Sequence, residues 1–110
     1  MALFVDTPRP QDLLDAIYKA IDNKTIQTWE YDKDRDLTHS PDQWKNKAWM
    51  HPTIKASQLQ FGLLGQKNIV MSKLIYAVYH GRFAEMLLNH FDDKITNITA
   101  SASKHSSDSF

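Results

Sequence analysis

The chain has 110 residues, no cysteine, and thirteen basic against thirteen acidic side chains. That length suits one domain, and 42% hydrophobic residues can form a core without cross-links. The missing cysteines exclude a disulfide scaffold and any Cys-ligated zinc or iron–sulfur centre, and the zero net charge argues against broad electrostatic binding to nucleic acid or anionic membrane.

No stretch approaches the ~20 apolar residues that span a bilayer. The opening MALFVDTPRP has too short an apolar run and no basic region for a secretion signal. A soluble cytoplasmic protein is the expectation. Eleven of the acids are Asp and only Glu30 and Glu85 are Glu. Asp favours caps and turns, because its short side chain competes for local backbone hydrogen bonds.

Taken in chain order, residues 8–22 form the first strong pattern. Thr7 can cap and Pro8 can open a helix, where its missing N–H costs nothing. Leu13, Leu14, Ile17, Ala20 and Ile21 then recur at three and four, with Asp12, Asp15, Lys19 and Asp22 on the wet side. Thr25–Tyr31 is rich in β-formers, with Trp29 and Tyr31 on one face. DKDRD follows as a turn, and Leu37–His39 can return as a short strand. Ser40-Pro41 reads as a helix start over 41–48, with extended structure as the alternative. Ile54–Leu64 alternates as one strand, with Leu59, Phe61 and Leu63 inward. A long helix over 72–91 and a final strand, Lys94–Ala100, complete the pattern. Residues 1–100 read as one α+β domain and the Ser-rich 101–110 as a flexible tail.

This order implies a mostly antiparallel sheet of three or four strands, with both helices on one face. If the last strand lies beside its predecessor across the long helix, that unit is parallel and right-handed.

The long helix is the most informative element. With Leu74 at zero and 100° per residue, only Glu85, Asn89 and Arg82 form a polar stripe, between about 20° and 80°. Nearly everything else is apolar, so the helix needs cover on two sides. An exposed aromatic patch at Tyr76, Tyr79, Phe83 and His90 is expected to self-associate. His80 falls inside the apolar arc as a buried neutral imidazole hydrogen-bonded to backbone, or as the polar floor of a ligand pocket with Trp29 and Tyr79. Gly81 weakens the helix by about 1 kcal/mol relative to Ala, which marks Tyr79–Phe83 as a place for close contact.

The remaining motifs are weak. Asp32, Asp34 and Asp36 have the spacing that opens an EF-hand, but Leu37 and Gln43 stand where Gly and Glu are required. No histidine pair shares metal-ligand spacing, and no nucleophile elbow or phosphate loop occurs. Trp44, Lys45, Lys47 and Trp49 interleave cations and aromatics as single-strand nucleic-acid binders do, but two lysines in a neutral chain argue against that partner. The expectation is a non-catalytic interaction module that forms a homodimer or joins another protein, without metal or cofactor. A ligand-binding protein or enzyme near His80 and a nucleic-acid accessory protein are the alternatives.

Overall fold

Leu59, Phe61 and Leu63 alternate along one strand and are fully buried, whereas Gln58 and Gln60, on the opposite face, are half-buried. The computed structural model describes residues 1–110 and builds outward from this strand. In order the elements are β1 (Leu3–Asp6), α1 (Pro10–Asp22), β2 (Trp29–Tyr31), β3 (Leu37–His39), β4 (Ala48–Ile54), β5 (Gln58–Gly65), α2 (Lys73–Phe91), a 3-10 turn (Asp92–Lys94) and β6 (Asn97–Ala100). The strands form one antiparallel sheet in the order β2-β3-β4-β5-β1-β6.

The class is α+β, as expected, but the sheet has six strands rather than three or four. Two were hidden. β1 is four residues long, and β4 carries Pro52, a residue that argues against a central strand. Pro52 is accommodated because β3 reaches only Met50, which leaves one flank of β4 open beyond it. Ile54–Leu64 is not a single strand: the chain reverses at residues 55–57, where Lys55 N–H donates to Gln58 O at 2.8 Å. β6 does not lie parallel beside β5. It pairs antiparallel with β1, with Val5 opposite Ile98.

The register puts Val5, Leu59, Leu3, Phe61, Met50, Leu63 and Leu37 on one face. Both helices pack there. The Phe83 ring of α2 is 4.6 Å from Phe61, and the Tyr18 ring of α1 is 4.9 Å from Tyr31. One cluster of 19 buried apolar residues joins the two helices to five strands. α1 begins at Pro10 rather than Pro8, so the second proline takes the first helical position. Thr7 instead donates its hydroxyl to Lys94 O at 2.7 Å, which ties the entry of α1 to the exit of α2. Ser72 caps α2 by accepting from Ile75 N–H at 3.1 Å. Residues 41–47 form turns rather than a helix.

Residues 101–110 lie back on the sheet. The His105 ring meets Phe4 edge-on at 5.1 Å, on the face away from the helices. Ser109 then pairs in parallel with Leu64, along the stretch of β5 that extends past β1. A Cβ on Gly62 would lie 2.1 Å from the Ser107 carbonyl oxygen, so only glycine admits the segment there.

Candidate functional site

α2 has two apolar sides, and only one is covered. Tyr79, His80, Phe83, Met86, Leu87 and Phe91 are buried. On the wheel they occupy about 120° to 260°. Leu74, Ala77, Gly81, Ala84 and Leu88 fall between about 280° and 360°. Leu74 is 65% exposed and Leu88 55% exposed. Ala77 and Gly81 are exposed too, and a Cβ on Gly81 would meet nothing within 4 Å. This stripe adjoins the Arg82–Glu85 ion pair, 3.2 Å long and solvent-exposed.

The exposed side is therefore not the expected one. Tyr79 and Phe83 are fully buried and Tyr76 is half-buried. His90, in the last turn, is exposed. The wheel shows that α2 has an excess of apolar surface, but not which side meets the sheet. The aromatic side went inward, because large rings gain most from burial, and left the small-residue side out.

The three ligand-pocket candidates do not gather around one cavity. His80 is 8% exposed, with Nδ1 2.7 Å from Tyr76 O and Nε2 2.5 Å from Met1 O. Both partners are carbonyl oxygens, so a neutral ring can donate to only one of them at a time. Tyr79 is a core residue whose hydroxyl donates to Trp44 O and lies 2.9 Å from Thr38 Oγ1. Trp29 alone borders a cleft.

That cleft has a volume of about 370 Å³ and lies between the 25–29 segment and the C-terminal half of α2. Trp29, His39 and Met86 line its inner part, with Arg82, Glu85, Asn89 and His90 on the helix side. His39 is 5% exposed and its Nδ1 donates to Thr28 O at 2.8 Å. Burial pushes the His39 imidazole below its ordinary pKa; the Thr28 hydrogen bond works the other way and the Arg82 charge adds to the lowering. A neutral His39 that donates through Nδ1 leaves Nε2 as an acceptor. Beside it, at 4.8 Å between ring centroids, Trp29 Nε1 is buried without a hydrogen-bond partner. His39 was missed in the sequence, although the alternation Leu37–His39 already puts it on the core side of β3.

Trp44 and Trp49 do not form one stacking platform. Trp44 packs against the helix-side core, while Trp49 follows buried Ala48 in β4 and points to the other face. Lys45 is paired with Glu30 at 3.1 Å, and Lys47 is exposed. Asp32, Asp34 and Asp36 bring carboxylate oxygens within 4.8 Å of one another. Asp32 accepts from the backbone N–H of Asp34 and Asp36, and Asp36 lies 2.6 Å from His51 Nδ1. These contacts close a hairpin turn.

No helix is long and apolar enough to cross a membrane. Comparison with protein-family models, curated proteins and solved structures found no match.

Proposed function

We propose that this protein is a non-catalytic, self-associating interaction module that works through the outer stripe of α2, in keeping with a cytoplasmic protein. The observation that carries this reading is the exposure of Leu74 and Leu88 at the two ends of a small-residue strip centred on Gly81. The two leucines stand seven residues either side of Gly81. A twofold axis at Gly81 with antiparallel helices puts Leu74 of each copy against Leu88 of the other, and such self-complementarity is what an isologous contact requires. Gly81 lets the backbones approach, and antiparallel helix dipoles oppose favourably.

Sedimentation velocity at tens of micromolar tests this. The expected species has twice the 12.7 kDa mass of one chain and is lost in Leu88→Asp, an exposed substitution that leaves the core intact. A monomer at every concentration contradicts the reading.

A further inference from the structure

We propose that the 66–71 loop is a peripheral membrane contact, whose tip seats Ile69 and Val70 in the interface of an anionic lipid bilayer. The loop joins β5 to α2 and is a held turn. Ile69 N–H donates to Gln66 O at 3.3 Å, and Asn68 takes a left-handed φ of 62°, which asparagine tolerates. Met71 is half-buried against the core, with its Cε 3.2 Å from where a Cβ on Gly65 would lie, and it anchors the loop inward. Ile69 and Val70 turn outward, 55% and 91% exposed. Two adjacent branched aliphatic side chains thus present apolar surface that their own chain leaves open.

Charge argues for what covers them. The chain is neutral overall, but residues 43–84 carry six bases and no acid. Three of those bases gather at the tip. Lys67 and Lys73 flank it in sequence, and Lys47 precedes Ala48, which pairs with Gly65 where the loop leaves β5. All three are exposed, and none takes part in an ion pair. Lys104 also borders the hollow behind the tip, but it is held by Phe110 O at 2.7 Å. No acidic side chain lines that hollow. An apolar tip among ammonium groups complements a surface that is anionic outside and apolar beneath, and the two signals together bind where one alone is marginal. A nucleic-acid strand would match the charge, but it stacks on aromatic rings, and residues 66–73 contain none.

The test is cosedimentation of the full chain with vesicles of phosphatidylcholine containing about one-third phosphatidylserine. Wild type is expected to bind these vesicles and to bind pure phosphatidylcholine at least tenfold more weakly. Lys67→Gln and Lys73→Gln, both at exposed positions, each weaken binding about fivefold. Val70→Asp, also exposed, weakens it about tenfold or more while the circular dichroism spectrum stays unchanged. In Val70→Trp the new indole is quenched by brominated lipid chains. Absence of binding to phosphatidylserine vesicles overturns the proposal, as does Val70→Asp binding as tightly as wild type. Loss of a dimer in Val70→Asp, with no vesicle binding by wild type, would give the tip to a second copy of the chain and overturn it too.

Discussion

The Asp108 carboxylate accepts a hydrogen bond from the backbone N–H of Leu63 at 2.7 Å, in the part of β5 that extends past β1. Its second oxygen accepts from His105 N–H at 2.7 Å and lies 3.2 Å from the N-terminal ammonium. One side chain thus occupies a strand edge and fixes the last ten residues against the sheet.

Asp108→Ala leaves the buried Leu63 N–H without its partner and is expected to cost about 1–3 kcal/mol. Burial alone raises the Asp108 carboxyl, but the His105 and Leu63 N–H groups with the ammonium outweigh it and hold the pKa below the ordinary value. A depressed carboxyl stabilises the fold above its unfolded pKa, and that contribution fades as pH falls through the folded one. Urea unfolding of wild type and Asp108→Ala between neutral pH and pH 3 should therefore show the difference shrinking on acidification. A constant difference would place the effect elsewhere.

Composition concealed this segment. SASKHSSDSF has no apolar periodicity, and its docking depends on Gly62, far back in the chain from Ser107, and on an acid that meets backbone, so local pattern carries no trace of it. The helices and β5 were legible because one buried face imposes a period of 3.6 or 2. β1 was not, since four residues are too few to show a period against background. The excess apolar surface of α2 was also legible, but its exposed side was not. That side depends on how Phe83 seats against Phe61 and Trp29, contacts that no single-helix pattern contains.

His39 supplies a second pH dependence. Its folded-state pKa is lowered, chiefly by burial. The neutral ring therefore stabilises the fold above the unfolded value of about 6.5, and that stability is lost as pH falls from there through the folded value. In His39→Gln, which keeps an acceptor and a donor, stability should fall less between pH 7 and pH 5 than in wild type, as chemical denaturation would show. Equal losses in both proteins would remove His39 from the account.

Tyr18 acts at the alkaline end. Its hydroxyl donates to Arg35 O at 2.6 Å, and burial foremost raises its pKa to about 12. A raised pKa gives stability that is complete below the unfolded value of about 10 and is lost as pH rises through the folded one. Tyr18→Phe should be less stable than wild type at pH 8 by about 1 kcal/mol, and the gap should close toward pH 12. A gap that persists there would show that the hydroxyl contributes through packing alone.

Gly81→Ala separates folding from association. The added methyl has open space around it, and alanine favours the helix by about 1 kcal/mol. Thermal unfolding of the dilute monomer should rise by a few degrees. Association should weaken, because the methyl keeps two helices apart at their crossing. A variant that is more stable and associates as strongly as wild type would remove Gly81 from the contact.

The absence of native cysteine allows the most direct test of self-association through the outer stripe of α2. Leu74→Cys and Leu88→Cys are prepared separately, then mixed and oxidised. The expected outcome is a disulfide-linked dimer that forms rapidly in the mixture and contains one chain of each kind, with little linkage in either variant alone. Linkage within each variant alone would mean parallel helices, and no linkage in any sample would contradict the interface.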